Sequence, residues 1–360
     1  YADGTLHFAR EGHEARIPAV LHVAAEGKSI IGQAALEYLS SYPDCTLSSI
    51  KRLMGHAYQD REVQALNYAV GYEIVAGPDE SAVVQIRGER YAAAQLAAEI
   101  LRYLRDLAEK QLGRTVGRAV FSVPVAASEA YQAVLRLAAK LAHIEVLQLV
   151  SEPVAGILAH SLHGSPVLSR IFVSDFGAGT FDASIVEQDG RHFRALASDG
   201  DDFLGGDDFD VRLADAVSGL LYRSDKVDLH RDALQWHRLV KVSEGTKRAL
   251  SMAHQAPLHL EQAYTLGRKR HDVRLMIERS WVEPLWSELI ERATYVVESL
   301  LKRRGLVPAD IDHVVQIGGT NLIPAVRAAF CRVFDREIHV SQQANLAVAG
   351  GAAILASMLP

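Results

Sequence analysis

The segment from Ile171 to Val186 carries residue types suited to phosphate and metal chemistry. Asp175 and Asp182 flank a short turn, which consists of Gly177, Ala178, Gly179 and Thr180. Glycine tolerates the backbone angles and the close phosphate approach that such a turn requires. Carboxylates near phosphates hold the waters around a Mg²⁺ ion, and a threonine hydroxyl donates to a phosphoryl oxygen. The segment predicts a phosphate site with Mg²⁺ bound through water, although an ordinary glycine-containing hairpin also explains it.

A second glycine loop, Gly318-Gly319-Thr320, follows the apolar run from Val314 to Ile317 and precedes Pro324. Proline suits the first turn of a helix. Backbone amides left free at a helix start can meet a ribose or a phosphate. A plain strand-to-helix connection has the same pattern, so this loop alone leaves both interpretations open.

The elements that position these loops are predicted from periodicity. Helical spacing extends from Tyr91 to Leu112, and Gly113 then provides a C-terminal stop. In the first half we also predict a helix ended by Gly55, a strand at Ala119 to Val123, a helix capped by Ser128, a strand at Ile144 to Val150 and a helix opening at Ser151. In the second half we predict strands flanking the turn at 177–180, helices over 207–304 interrupted by a hairpin near 257–272, a strand, loop and helix over 313–330, and a helix over 346–358. This order indicates a mixed sheet flanked by helices.

Bulk properties narrow the class of protein. A chain of 360 residues is longer than one hydrophobic core usually accommodates, so two lobes are expected. The composition is that of a soluble globular protein, with 49% hydrophobic residues and a net charge of −6, which makes nucleic acid an unsuitable main partner. We expect no membrane span, because no apolar stretch reaches about 18 residues. Two distant cysteines, Cys45 and Cys331, favour a reducing, cytoplasmic compartment.

Metal-ligand patterns of other kinds are not found. The acidic run from Asp199 to Asp210 has the length of a calcium loop, but Leu204 occupies the position where glycine is needed, and Asp210 replaces the expected glutamate. The 15 histidines show no zinc spacing, and His254 and His259 are interpreted as surface residues.

Five ordered motifs match one family. They are Ile50-Lys51-Arg52-Leu53-Met54-Gly55, Ser151-Glu152-Pro153-Val154-Ala155, the aspartate-flanked turn at 175–182, Phe203-Leu204-Gly205-Gly206-Asp207-Asp208-Phe209 and Gly318-Gly319-Thr320. Over nearly its whole length the chain resembles the nucleotide-binding domain of the heat shock protein 70 family, the DnaK-like chaperones. The resemblance implies an actin-like α/β ATPase fold, with two lobes of two subdomains each around a cleft that binds ATP or ADP with Mg²⁺. Lobe I would cover 1–166 with 343–360, including subdomain IB at about 19–92, and lobe II would cover 167–342, including subdomain IIB at about 205–286.

The resemblance also implies roles for individual residues. Lys51 matches the lysine that reaches the transferring phosphate, where a positive charge stabilises the developing oxyanion. Glu152 matches the carboxylate that positions the metal's waters and links hydrolysis to lobe motion. Asp175 and Asp182 match the metal-site aspartates, which bind through water, and Thr180 matches the threonine beside the γ-phosphate. On this basis these five residues are the catalytic candidates.

The nucleotide-binding candidates follow in the same way. In the resemblance, Gly205 and Gly206 close over the nucleotide, Glu244 and Lys247 meet the ribose, and Ser251 meets the base. The remaining candidates are Gly177, Ala178, Gly179, Thr180, Arg248, Gly318, Gly319, Thr320, Asn321, Leu322 and Asn345.

Several positions depart from the family pattern. Leu322 stands where the family usually has an arginine that packs on adenine, so a stacking cation is lost. Asn345 replaces a common aspartate, Ala178 replaces a middle glycine, and Val125-Ala126-Ala127 replaces an aromatic-containing stretch. These changes predict a divergent member with altered nucleotide contacts.

The resemblance places a first phosphate loop before Tyr1 and a peptide-binding domain beyond Pro360. We expect hydrolysis to be severely impaired without that loop, because phosphoryl transfer needs positioning from both sides. The expected function is an ATPase domain whose lobe closure controls a peptide-binding domain that seizes client peptides, with a J-domain co-chaperone and a nucleotide exchange factor as partners. The alternative is a non-catalytic relative that regulates another chaperone. An actin-like sugar kinase or filament protein is disfavoured by the motifs around Lys51 and at 204–209.

Overall fold

The computed structural model describes residues 5–25, 27–39, 41–125, 127–160, 169–190, 192–201, 203–338 and 344–359. These residues fall into two compact units, one drawn from Tyr1–Glu152 with Ala352–Pro360 and the other from Pro153–Gly351. The predicted lobe boundaries at 166/167 and 342/343 lie outside the described residues, as does Ala126, so the lobe ranges stay predictions.

The first part of unit 1 is built from short antiparallel strands. One sheet has the order β2-β1-β3, and another has the order β4-β5-β6. The strands are β1 Leu21–Val23, β2 Ser29–Ile31, β3 Thr46–Leu47, β4 Glu73–Ala76, β5 Ala82–Ile86 and β6 Glu89–Ala92, and the helices are α1 Gln33–Leu36 and α2 Arg61–Ala69. The helix predicted before Gly55 is a short 3-10 helix, Ile50–Leu53. Its length is limited by left-handed backbone at both sides, with φ of 59° at Ser49 and 77° at Gly55.

The rest of unit 1 follows the predicted order of strands and helices. The long helix α3 covers Ala93–Leu112 and ends at Gly113, whose φ of 66° is the left-handed conformation of a helix C-terminus. The following elements are β7 Arg118–Val123, α4 Glu129–Leu141 and β8 Glu145–Ser151, and α5 Glu152–His160 begins at the end of this segment and continues as the first helix of unit 2. Ser128 caps α4, because its hydroxyl accepts a 3.1 Å hydrogen bond from Tyr131 N. β7 and β8 pair in parallel.

The sheet of unit 2 has the order β11-β10-β9-β14. Its strands are β9 Ser169–Phe176, β10 Phe181–Asp189, β11 His192–Asp201 and β14 His313–Ile317. β9 is antiparallel to β10 and parallel to β14. The carboxyl ends of β9 and β14 therefore share one edge of the sheet, which brings together the two glycine loops that follow them.

Helices and a long hairpin complete unit 2. They are α6 Gly206–Asp225, α7 Ala233–Leu250, the hairpin strands β12 Gln255–Leu266 and β13 Lys269–Glu278, α8 Arg279–Val282, α9 Ser287–Arg303, α10 Pro324–Phe334 and the last helix α11 Ala347–Met358, which ends in unit 1. Phe172, Phe176, Phe209 and Trp286 belong to the hydrophobic core of this unit. Within the described ranges, no helix combines the length and the hydropathy needed to cross a bilayer.

A histidine joins α6 to the start of α7. His230 Nε2 lies 2.8 Å from Asp215 Oδ1 and its Nδ1 lies 2.9 Å from Asp228 Oδ1, while its ring stacks on Trp236 at 4.0 Å between centroids. The hydrogen bond with Asp215, and then that with Asp228, raises the pKa of His230 although burial opposes this. A raised pKa in the folded state means that the stabilisation is complete below the unfolded value of about 6.5 and is lost as the pH rises through the folded value.

We therefore expect His230→Gln to lower the melting temperature at pH 6 and to have a smaller effect at pH 8.5. Thermal denaturation of the variant and the wild type at both pH values measures this difference. His254→Gln, which changes an exposed histidine, serves as the control and should show no such trend. An equal loss at both pH values would show that the ring acts by stacking on Trp236 and not by its charge.

Candidate functional site

Three backbone segments of unit 2 meet at the turn between β9 and β10. The turn is closed by a 3.0 Å hydrogen bond from Gly177 N to Thr180 O. Gly177 O accepts from Gly206 N at 3.0 Å, at the start of α6, and from Thr320 Oγ1 at 2.7 Å, in the loop after β14. Asp207 N also donates to Ala178 O at 2.8 Å. The turn, the start of α6 and the second glycine loop therefore form one hydrogen-bonded assembly.

Two glycines permit this approach. A Cβ on Gly205 would lie 2.2 Å from Ala178 O, so α6 could not begin against the turn with any larger residue. A Cβ on Gly318 would lie 2.3 Å from Phe176 O, and the φ of 85° at this residue is a left-handed conformation that glycine adopts readily. The close packing of the backbone at Gly205 and Gly318 therefore depends on the absence of a side chain at both positions.

The two aspartates of the first motif lie side by side. Asp175 and Asp182 are directly opposite residues of the antiparallel pair β9/β10, so their side chains project from the same face of the sheet at neighbouring positions. Both residues are half-buried. A Cβ on Gly318 would lie 3.0 Å from Asp175 Oδ1, which places this carboxylate beside the second glycine loop.

This arrangement is compatible with a hydrated magnesium ion. Among the described residues, no group of three or more histidine, cysteine or acidic side chains could hold a metal directly. Mg²⁺ usually keeps several of its waters and is held by one or two carboxylates together with phosphates. Asp175 and Asp182 supply such a pair, so the donor set is suited to binding through water and not to a closed protein cage.

The lysine and glutamate candidates of unit 1 form an ion pair. Lys51, on the 3-10 helix, donates from Nζ to Oε1 of Glu152 at 2.8 Å. Glu152 is the first residue of α5, where a negative charge is favourable to the helix dipole. Its side chain is 15% exposed and that of Lys51 is 57% exposed. Lys51 is thus held at one end by a largely buried carboxylate while much of its side chain meets solvent.

A tyrosine and a glycine lie near this pair. The Cβ that Gly55 lacks would lie 2.4 Å from Tyr131 N, so the chain after the 3-10 helix packs directly on the start of α4. Burial raises the pKa of Tyr131, Lys51 lowers it, and Glu152 raises it further. The phenol therefore stays protonated beside the ion pair at neutral pH.

The candidates on α7 have different surroundings. Glu244 is half-buried and lies between Lys241 and Arg248. Burial would raise the pKa of Glu244, but Lys241, Lys247 and Arg248 more than offset this and lower it. Ser251 Oγ donates to Lys247 O at 3.3 Å at the end of the helix. Glu244 is therefore an anion at neutral pH.

Lys247 is buried in the interior of unit 2. Its Nζ donates to Gly206 O at 2.6 Å and to Asp210 Oδ2 at 2.8 Å. Because Gly206 belongs to the hydrogen-bonded assembly of the three segments, Lys247 attaches α7 to that assembly. The sequence motifs do not mark Asp210 as a site residue. The spacing of α6 contains a signal for it, since Asp210 falls on the apolar stripe of Phe209, Leu213, Ala214 and Val217.

The loop after β14 contains a buried residue that holds it on the sheet, and it lies beside residues that are partly or fully exposed. The Asn321 side chain is fully buried, donates to Ile317 O at 2.5 Å and to Ser174 O at 3.2 Å, and accepts from Gln316 Nε2 at 3.0 Å. Its amide thus holds the loop on the sheet. Leu322 is half-buried, and Asn345 is exposed. A Cβ on Gly319 would lie 2.7 Å from Asn345 Oδ1, so this side chain stands directly beside the loop.

The structure therefore brings most predicted site residues into two groups. In unit 1, Lys51 pairs with Glu152. In unit 2, contacts connect the turn at 177–180, its two aspartates, the start of α6, Lys247, and the loop at 318–321 with Asn345. Glu244, Arg248 and Ser251 lie on the same helix as Lys247.

The family model described as Hsp70 protein matches residues 9–360, which is nearly the whole chain. The strands and helices agree with the α/β class that the sequence motifs predict, and the family implies an actin-like ATPase fold. The match extends through both units and includes both groups of candidate residues. The chain belongs to the Hsp70 family and is a nucleotide-binding domain of that family.

Proposed function

We propose that this domain binds ATP and ADP with Mg²⁺ and hydrolyses ATP. The observation that carries the proposal is the convergence of the turn at 177–180, the start of α6 and the loop at 318–320, with Asp175 and Asp182 beside them. Glycine loops that meet in this way present backbone amides to a phosphate chain. Paired carboxylates at the same place suit the hydrated cation that accompanies nucleotide phosphates.

Each candidate residue has a role in this proposal. Asp175, Asp182 and Glu152 hold water molecules of the Mg²⁺ ion, and Thr180 donates its hydroxyl to a phosphoryl oxygen. Lys51 places its ammonium near the transferred group, where it stabilises negative charge in the transition state. Bound Mg²⁺ would neutralise charge on the phosphate oxygens. Glu244, Lys247, Arg248, Ser251, Leu322 and Asn345 would surround the adenosine.

The coupling to protein folding rests on family membership. We propose that two lobes, each with two subdomains, close on the nucleotide and thereby control a peptide-binding domain. A J-domain co-chaperone and a nucleotide exchange factor are the expected partners, and the cytoplasm is the expected compartment. The two cysteines are free, with Cys45 buried and Cys331 half-buried, which is consistent with reducing conditions.

We expect Mg-ATP and Mg-ADP to raise the melting temperature of the full-length protein by a few degrees. A ligand at about 100 times its Kd stabilises the folded state by about 2.7 kcal/mol. Differential scanning fluorimetry with and without nucleotide measures the shift, and GTP at the same concentration is the control for adenosine recognition. Release of inorganic phosphate from ATP measures hydrolysis in the same samples.

The two measurements separate the candidate functions. A thermal shift together with phosphate release supports the ATPase. A shift without phosphate release supports the non-catalytic regulator. The absence of both a thermal shift and phosphate release would contradict nucleotide binding of either kind.

A further inference from the structure

A buried ion pair connects α6 to α7 directly behind the glycine loops. Asp210 is 3% exposed and Lys247 is 8% exposed, and the Nζ to Oδ2 distance is 2.8 Å. Charged side chains are almost never fully buried unless they are paired. Breaking such a pair from one side is strongly destabilising, because it leaves an uncompensated charge in the interior.

Among the residues that the structure describes, this pair lacks some of its possible hydrogen-bond partners. Asp210 Oδ1 is buried and has no hydrogen-bond partner in the part of the chain that the structure describes. Across the same described ranges, Lys247 Nζ has two acceptors, Gly206 O and Asp210 Oδ2. An ammonium carries three N–H donors. One donor of Lys247 thus remains for a further acceptor.

The ammonium lies where the three segments meet. A Cβ on Gly206 would be 3.0 Å from Lys247 Nζ, 2.9 Å from Thr320 Oγ1 and 3.7 Å from Ala178 Cα. One point is therefore surrounded by the turn, the start of α6, the second glycine loop and the lysine. An acceptor on a ligand held by these loops would be within reach of the third N–H.

The charge of Asp210 changes near neutral pH. Burial raises the pKa of Asp210 to about 7, although the Lys247 ammonium and its hydrogen bond lower it. Glu244 on α7 and Asp207 on α6 also face the carboxyl group, and both raise its pKa. The ion pair is complete only above this pH, because a protonated Asp210 carries no charge to hold the ammonium.

We propose that Asp210 is a positioning residue, whose carboxylate holds the Lys247 ammonium at the junction of the loops so that its third N–H donates to the ribose of a bound nucleotide. This inference rests on the proposed nucleotide site and on the ribose contact predicted for Lys247. When Asp210 is protonated or replaced by a neutral residue, the buried ammonium loses its counter-charge and keeps only its hydrogen bond to Gly206 O, so it is held less firmly at that point. Recognition of the ribose hydroxyls is then weakened.

The experiment compares ADP with 2′,3′-dideoxy-ADP, which has the same base and phosphates but lacks both ribose hydroxyls. Their Kd values are measured by calorimetry at pH 6 and pH 8 for the wild type and Asp210→Asn. Titration of the phosphates affects both ligands and cancels in the ratio of their Kd values. Glu288→Gln is the matched control. Glu288 forms an ion pair with Arg212, which lies on the same helix as Asp210, but both side chains of this pair are exposed.

At pH 8 we expect the wild type to prefer ADP by about tenfold, the size of one hydrogen bond from a charged donor. At pH 6 the preference should fall to about twofold or less. Asp210→Asn should show this small preference at both pH values, and Glu288→Gln should behave as the wild type does. A structural role alone would change the affinity for both ligands and leave their ratio unaltered.

The proposal is overturned if the wild-type ratio is the same at pH 6 and pH 8, a result that requires no variant. It is also overturned if Asp210→Asn retains the wild-type ratio and its pH dependence. If Asp210→Asn does not fold, the double variant Asp210→Asn with Lys247→Met replaces the pair by two neutral side chains and should show the small ratio at both pH values. If the wild type binds ADP but the ratio of the two Kd values does not change with pH, only this inference is contradicted. If the wild type binds neither ligand, the proposed nucleotide site itself is contradicted.

Discussion

Replacing Lys51 by alanine is expected to slow ATP turnover by about 100- to 1000-fold while changing the Kd for ADP by less than about threefold. That range is typical for removal of one group that stabilises charge mainly in the transition state. Lys51 is suited to such a role because Glu152 holds its Nζ at 2.8 Å while 57% of its side chain remains exposed. Single-turnover phosphate release and calorimetry with ADP measure the two quantities separately.

Two further variants sharpen this experiment. Lys51→Met keeps most of the aliphatic stem and removes the charge, so it should match Lys51→Ala if the charge is responsible. Lys110→Ala removes an exposed lysine from α3 in the same unit and should leave both quantities unchanged. If Lys51→Ala weakened ADP binding as much as turnover, the lysine would contribute to binding in general and not to the transition state.

Much of the fold could be predicted from local signals. The C-terminal stop at Gly113, the cap at Ser128 and the start of a helix at Pro324 are each set by residues adjacent to the element. The strand, turn and strand at 169–189 follow from alternating apolar residues and two glycines. The helix predicted before Gly55 became a single 3-10 turn, because Ser49 adopts a left-handed conformation that no local pattern indicates.

The site could be predicted only in part, because its side chains are paired by tertiary packing. The motifs identified the glycines and the aspartates, whose positions depend on turns. They did not indicate that Lys247 would be buried, because this depends on how α7 packs on α6. The sequence does contain one signal for this pairing, which is the position of Asp210 on the apolar stripe of α6. A carboxylate buried on such a stripe needs a cationic partner from a neighbouring helix.

The steric demand at Gly205 leads to the second large effect. Its backbone, with φ of −157°, is an extended conformation that any residue can adopt, so alanine introduces no conformational strain there. The added Cβ would, however, lie 2.2 Å from Ala178 O, 2.4 Å from Ala178 C and 2.5 Å from Gly179 N. Backbone atoms cannot yield as a flexible side chain can, so the start of α6 must move away from the turn. The hydrogen bonds from Gly206 N and Asp207 N to the turn are then lost.

We expect Gly205→Ala to lower the free energy of unfolding by about 2–5 kcal/mol, from overpacking and two lost hydrogen bonds, and to weaken ADP binding by about 10- to 100-fold. Gly245→Ala is the matched control, because that glycine lies within α7 of the same unit and its added Cβ would meet no atom of another described segment within 4 Å. Alanine is the better helix former there by about 0.5–1 kcal/mol, so this variant should be at least as stable as the wild type and bind ADP equally well. Urea denaturation and calorimetry with ADP measure both properties. Wild-type ADP affinity in Gly205→Ala would mean that the nucleotide does not depend on the contact between α6 and the turn, which would remove the observation on which the proposed phosphate site rests.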